Sequence, residues 1–229
     1  MAITVDVVSD VVCPWCFVGK RRLEKAIAAL DGKQEVRVRW HPYQLNPQMP
    51  KEGMDRRAYR TAKFGSWERS LALDAQIKTV GESEGLVFAP EKCQRTPNTL
   101  DAHRLIWLAE KEGVQDAVVE ALFRAYFTDG IDIGDTPTLL DVVAGAGLNR
   151  ERAEAVLNSD EGLATIREED EQARTVGVQG VPFFIINDAI VLSGAREPSA
   201  FLEAFEQASE ESVVSTEGNT CGIGAKGAC

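Results

Sequence analysis

Ser9-Asp10-Val11-Val12-Cys13-Pro14-Trp15-Cys16-Phe17-Val18-Gly19 is the stretch whose reading decides the fold. Ahead of it, Ile3, Val5 and Val7 alternate with polar residues, and the apolar character runs on through Val8, Val11 and Val12. That is a strand over residues 3–9 entering a buried segment. Pro14 stands where a helix begins, a position at which its missing N–H costs nothing. Behind it Phe17, Leu23, Ala26, Ile27 and Leu30 share one helical face, with Lys20, Arg21, Arg22, Glu24 and Lys25 around the rest. Asp31-Gly32 stops this helix. Over residues 35–41, Val36, Val38 and Trp40 alternate with Arg37, Arg39 and His41, a half-buried strand. Strand, helix and strand on short links form a βαβ unit with parallel strands and a right-handed crossover.

Working outward, residues 51–176 turn helical. Four to six helices and no strand are expected there, punctuated by Gly113, Gly130, Gly145 and Gly147. Thr96-Pro97 and Asp135-Thr136-Pro137 read as helix starts. Val118, Val119, Leu122, Phe123, Tyr126 and Phe127 form a helical stripe. Strand character returns over residues 181–186, followed by an Asn187-Asp188 turn and a second strand over 189–192. Residues 199–207 carry Phe201, Leu202 and Phe205 on a last helix. From Ser209 the chain is rich in Gly, Ser and Glu and is expected to be poorly ordered. The layout is an α/β sheet domain in two pieces (1–50 and 177–208), an all-helical insertion (51–176) and a cysteine-containing tail (209–229).

The chain has 229 residues, 44% of them hydrophobic, enough for a sizeable core. Its 36 acidic and 25 basic residues leave a net charge of −11. That balance argues against nucleic acid or an anionic membrane surface as main partner, since both need clustered Lys and Arg. No window approaches the ~18 uninterrupted apolar residues of a membrane span. Residues 1–10 lack a basic n-region and a long apolar segment, so they read as a strand and not as a signal peptide, and the cytoplasm is the expected location.

The cysteines are Cys13, Cys16, Cys93, Cys221 and Cys229. An odd number without an export signal points away from a structural disulfide framework. Two readings remain, a metal site and thiol redox chemistry. Zinc needs a second closely spaced pair, whereas Cys221 and Cys229 stand eight positions apart. A zinc-binding interaction module is thus the weaker reading, and no metal ligand set is assigned. Redox chemistry fits the spacing of Cys13 and Cys16 at a strand-to-helix junction. The thiolate is the nucleophile, and the partial positive charge and free N–H groups of a helix start favour an anion. Cys13 is therefore the expected attacking sulfur. Cys16, one turn on, is placed to resolve a mixed disulfide. Pro14 stiffens the turn between them, and Trp15 packs on a partner or shields the site.

These residues resemble a known family. Strand, Cys-Pro-Trp-Cys helix, strand, helical insertion, then Gly180-Val181-Pro182 leading into a hairpin and a last helix is similar to the DsbA-like branch of the thioredoxin superfamily. Residues 9–19, Pro42-Tyr43-Gln44-Leu45-Asn46-Pro47, and Asn98-Thr99 leading to Ala102-His103-Arg104-Leu105 are similar to its FrnE-like cytosolic members. The resemblance spans roughly residues 3–207. It implies a thioredoxin fold, with a central mixed β-sheet and a large helical insertion, and thiol-disulfide oxidoreductase or isomerase activity. By it, Cys13 matches the nucleophile, Cys16 the resolving thiol, and Val181-Pro182 the cis-proline loop whose backbone pairs with an extended substrate. Expected partners are peptide or small-molecule disulfides and a cytosolic reductant such as glutathione or thioredoxin. No tightly bound cofactor is implied, and glutathione enters as co-substrate. Some members carry a closer C-terminal cysteine pair. Cys221 and Cys229 read either as a second redox pair or as incidental thiols. The rival is a sister group, hydroxychromene-carboxylate isomerases and kappa-class glutathione transferases, which usually have Ser in place of the first Cys.

Several further residues carry two readings. Asp10 is either a proton-moving carboxylate for the dithiol or an acidic residue suited to a helix start. His41 and His103 either approach the site or are structural. Lys20 and Arg104 either steer an anionic thiol or line solvated faces, the simpler reading. Cys93 is an accessible thiol or, by preference, a small buried residue. Trp67 and Trp107 read as core, and Glu168-Glu169-Asp170-Glu171 as a solvated helix face.

Overall fold

A computed structural model of the chain describes residues 2–217. β1 (Ile3–Ser9) leads into α1 (Pro14–Ala29) and β2 (Val36–Pro42). Next come β3 (Met54–Asp55), α2 (Arg56–Phe64), α3 (Trp67–Ser83) and β4 (Arg95–Thr96). α4 (Leu100–Lys111) and α5 (Gln115–Arg124) follow, and α5 runs into a π-helical turn at Ala125–Asp129. α6 (Thr136–Gly145), α7 (Arg150–Leu157) and α8 (Leu163–Thr175) complete the helical block. β5 (Phe183–Ile186), β6 (Ile190–Ser193) and α9 (Pro198–Glu217) return to the sheet.

The main sheet has the order β2-β1-β5-β6. β1 runs parallel to β2, with Val7 opposite Trp40, and antiparallel to β5, with Val7 also opposite Phe184. The mixed sheet and inserted helices are the expected thioredoxin fold. β1 is central and buried along nearly its whole length, which accounts for its apolar run. At Trp40 the outer edge of β2 is capped by a side chain: the Gln115 amide accepts from the Trp40 N–H and donates to the Trp40 carbonyl, both at 3.0 Å. The outward-facing backbone groups of Trp40 on this edge strand are thereby satisfied. Phe17 of α1 stacks on Phe123 of α5 at 5.1 Å, and Phe123 meets the Trp40 ring edge-on. Phe88 and Phe127 extend the cluster, so one aromatic core joins sheet and inserted helices.

Five expectations change. The helical block holds seven α-helices, α2 to α8, among the described residues. It also holds a small antiparallel pair, Met54 opposite Thr96 and Asp55 opposite Arg95. Thr96-Pro97 therefore does not start a helix. Thr99 stands at the start of α4, whereas Asp135 caps α6 by accepting from Thr138 N–H as expected. α9 continues to Glu217, well past residue 208. Trp67 is only half-buried, with the Arg57 guanidinium 5.4 Å from its ring. Trp107 is half-buried as well, packed against the core and carrying Lys111 Nζ at 3.5 Å.

Candidate active site

Cys13 is the N-cap residue of α1, in extended conformation at φ −92°, ψ 111°, and Pro14 is the first helical residue. The turn is tied by Cys13 N–H to Asp10 C=O at 2.9 Å and Cys16 N–H to Cys13 C=O at 3.0 Å. Both thiols are free and buried, while Trp15 beside them is 37% exposed. Cys13 and Cys16 differ in setting. Cys13 lines a cleft, whereas Cys16 lies behind it at 1% exposure. Burial pushes the Cys16 thiol well above its ordinary range, and the neighbouring Cys13 adds to this. Hydrogen bonding from the Ser9 hydroxyl and the Asp10 backbone opposes it.

The Val181-Pro182 loop faces this pair. The peptide bond is cis, and the Cys13 thiol donates to the Val181 carbonyl at 3.4 Å. Gly194 N–H holds the Pro182 carbonyl at 2.8 Å. Gly19 permits the close approach of α1: a Cβ there would stand 3.0 Å from both Pro182 Cγ and Phe184 Cζ. Sequence reasoning assigned Gly19 no role.

The cleft measures ≈ 280 Å³ and runs from Cys13, Pro14 and Trp15 to α2 and α3 of the insertion. Its walls are largely apolar, with Leu45, Met49, Phe64 and Ile77 prominent. Lys63 lies on its rim, with Nζ donating to Tyr59 OH at 3.1 Å and resting over the Tyr59 and Phe64 rings. No carboxylate pairs with Lys63 among the described residues. Arg60, by contrast, is committed to Ser70 and Asp74. Nothing in the spacing of Tyr59, Arg60 and Lys63 signals the cleft, because α2 reaches it only through tertiary packing.

Asp10 is fully buried and lines the cleft beside Cys13. Its Oδ2 accepts from Leu45 N–H at 2.7 Å and its Oδ1 from Val12 N–H at 3.4 Å. His103, on α4, is brought to this carboxylate, with Nε2 3.5 Å from Oδ1. His41 is not brought to the site: its Nε2 bonds Asp6 Oδ1 at 2.7 Å, and Nδ1 faces Glu169 at 3.6 Å.

Lys20 and Arg104 neither line the cleft beside Cys13 nor face solvent. Lys20 is 2% exposed and sits among Glu24, Asp116 and Glu120. Arg104 is 4% exposed and donates to the Val156, Ser159 and Glu161 carbonyls and to Asp101. Asp170 also departs from the solvated-face reading: it is buried, accepting from Gln44 N–H at 2.8 Å and from Arg174. Cys93 is buried, its thiol donating to Tyr126 C=O at 3.1 Å, the bland reading made of it. Cys221 and Cys229 lie outside the described residues. Among the described residues, no three His, Cys, Asp or Glu side chains gather as metal ligands, and no helix is long and apolar enough to cross a membrane.

Comparison with known proteins agrees with the geometry. The sequence profile of the DSBA-like thioredoxin domain matches residues 4–206. A probable DsbA oxidoreductase from Streptomyces coelicolor is 32% identical, superimposes with a TM-score of 0.81, and the match covers 99% of this chain and 94% of that one. The cytosolic disulfide reductase DsbM from Pseudomonas aeruginosa, solved with GSH, shares the fold at 22% identity and TM-score 0.63, over 89% of this chain and 99% of that one. The uncharacterized protein YwbO of Bacillus subtilis (strain 168) is 27% identical over 212 residues, 91% of this chain and 96% of its own length. With its Cys-Pro-Trp-Cys helix start set against a cis-proline loop in a thioredoxin fold, the chain belongs to the DsbA-like thioredoxin family.

Proposed function

We propose that the chain is a thiol-disulfide oxidoreductase/isomerase in which Cys13 is the nucleophile and Cys16 the resolving thiol, acting on peptide or glutathione disulfides. The Cys13 sulfur attacks one sulfur of a substrate disulfide. A Cys13–substrate bond forms, and the other substrate sulfur leaves with the electron pair of the broken bond and takes up the Cys13 proton. Cys16 then attacks Cys13, forming the Cys13–Cys16 disulfide and releasing the second substrate thiolate. Two electrons pass from dithiol to substrate. The Asp10 carboxylate takes the proton that Cys16 gives up. Release of Cys13 by a substrate thiol before Cys16 acts gives isomerisation instead.

The observation that carries this reading is the asymmetry of the two thiols: Cys13 on the cleft, against the Val181 carbonyl, and Cys16 buried behind it. Pro14 fixes the turn, Trp15 offers an exposed apolar ring to a partner, and the backbone before Pro182 pairs with an extended substrate. On the motifs over residues 9–19, 42–47 and 98–105 we place the chain in the FrnE-like cytosolic branch, with glutathione or a thioredoxin system as reductant and no tightly bound cofactor. Cys221 and Cys229 are proposed to exchange with the main pair; unchanged turnover after replacing both by Ser removes that role.

The test is Cys16→Ser. It should accumulate a mixed disulfide at Cys13, while Cys13→Ser should accumulate none at either position. Equal trapping at Cys93 in both variants would contradict the assignment. The second reading, a glutathione-dependent isomerase or transferase, is favoured by the small, largely apolar cleft with Lys63 on its rim. It predicts that Cys13→Ala still turns over organic substrates when glutathione is present.

A further inference from the structure

The helical insertion supplies one buried group that the steps above do not use. His103 is 3% exposed, and its Nε2 has no hydrogen-bond partner among the described residues. A buried ring nitrogen without a partner is costly, so its placement calls for a reason. The atom it faces is Asp10 Oδ1, at 3.5 Å. Asp10 is itself wholly buried, and its second oxygen is already fixed by Leu45 N–H at 2.7 Å. Only the weaker bond from Val12 N–H, at 3.4 Å, reaches Oδ1. Oδ2 thus holds a short bond and Oδ1 only a long one, with the unpartnered His103 Nε2 beside it. Contacts that work during a reaction are often long in the resting state and tighten when charge develops.

We infer that His103 is a positioning residue for thiol exchange at this site: its Nε2–H closes on Asp10 Oδ1 and aims that carboxylate for the proton Cys16 releases. This rests on the dithiol reading given under Proposed function. The Asp10 carbonyl accepts from Cys13 N–H at 2.9 Å, Asp10 lines the cleft beside Cys13, and the Asp10 backbone lowers the pKa of the Cys16 thiol. The acceptor therefore belongs to the residue that already brackets both thiols. Atoms and charge balance in the step. Cys16–SH, the Cys13 mixed disulfide and the Asp10 carboxylate give the Cys13–Cys16 disulfide, the departing thiolate and a protonated Asp10 held by His103. Attack by Cys13 precedes this transfer and does not need it. His103 rides on α4 of the insertion and Asp10 on the β1–α1 link, so the contact makes resolution depend on how the insertion seats against the sheet.

The experiment separates the two steps in the full-length chain. Reduced protein is mixed with glutathione disulfide, quenched with acid at intervals, and scored by mass for the Cys13–glutathione adduct and the Cys13–Cys16 disulfide. His103→Asn is too short to reach Asp10. His103→Gln places an amide N–H near the Nε2 position. In His103→Asn the adduct should form at the wild-type rate and resolve about tenfold more slowly, the size of one lost bond to a charged group. His103→Gln should recover most of the resolution rate. Resolution at the wild-type rate in His103→Asn, or an equal fall in both variants, overturns the inference. Failure of wild type to form any Cys13 adduct would instead overturn the dithiol reading. Should His103→Asn not fold, the wild-type chain still decides. It has only two histidines, and in long-range ¹H–¹⁵N spectra the His103 Nε2 resonance should move between the dithiol and disulfide states. An unmoved resonance contradicts the role.

Discussion

The Cys13 thiol donates to the carbonyl of Val181 at 3.4 Å, across 168 residues of sequence. That contact sets a sulfur at a helix start against the main chain of the loop before Pro182. It depends on how closely α1 can approach the loop, and therefore on Gly19.

Gly19→Ala should destabilise the protein. Alanine gains up to about 1 kcal/mol in helix propensity, but its Cβ would stand 3.0 Å from Pro182 Cγ and Phe184 Cζ. Phe184 is fully buried, so neither neighbour has room to give. Overpacking of this kind costs about 1–3 kcal/mol, and the loop moves off Cys13. The urea midpoint should fall and adduct formation at Cys13 should slow. A rise in the midpoint with unchanged reactivity would refute the packing argument.

Lys63→Glu should raise KM for glutathione disulfide several-fold and leave kcat nearly unchanged. Lys63 is the cleft cation without a carboxylate partner among the described residues, held over Tyr59 and Phe64. A neutral disulfide such as hydroxyethyl disulfide should show little change. An equal effect on both substrates would mean that Lys63 supports the fold and does not read charge.

Arg104→Met should cost about 3 kcal/mol or more, because it strands the Val156, Ser159 and Glu161 carbonyls without their donor. Thermal unfolding checks this, and a loss below about 1 kcal/mol would show that water takes over the carbonyls.

The His41 contact should be pH-dependent. Burial pulls the ring's pKa down, but Glu169 and Asp6 outweigh it, so the folded value lies above the ordinary imidazole value of 6.5. Asp6 is lowered: burial raises it, and Arg39 and His41 outweigh burial. The His41 contribution is therefore fully present below about pH 6.5 and lost as pH rises through the folded value. The Asp6 contribution is lost as pH falls through its own lowered value. The ring is 36% exposed, so the effect should stay under about 1 kcal/mol. Urea midpoints of wild type and His41→Gln should differ at pH 6 and converge at pH 9. A gap independent of pH would contradict the ion pair.

The site was legible where its chemistry is local. Cys13, Pro14 and Cys16 sit within one helical turn, so spacing alone marked a pair of thiols at a helix start, and resemblance supplied the facing Val181-Pro182 loop. Lys20 and Arg104 were misread because helical periodicity assigns every cation to the surface. Their partners, such as Asp116, 96 residues away, appear only on folding. Asp170 was hidden in an acidic run for the same reason. The β3–β4 pair spans two residues a side, too short for alternation to register. Glu- and Ser-rich composition concealed the end of α9. His103 was noticed as one of two histidines, but nothing local tied it to Asp10.

The most direct test of the central claim is the redox equilibrium of the wild-type chain in glutathione buffers, with thiols trapped and mapped by mass spectrometry. The account predicts a reversible two-electron transition in which Cys13 and Cys16 form one disulfide while Cys93 stays reduced, and which disappears in Cys13→Ser. A chain in which Cys13 and Cys16 never pair, at any buffer ratio, would contradict it.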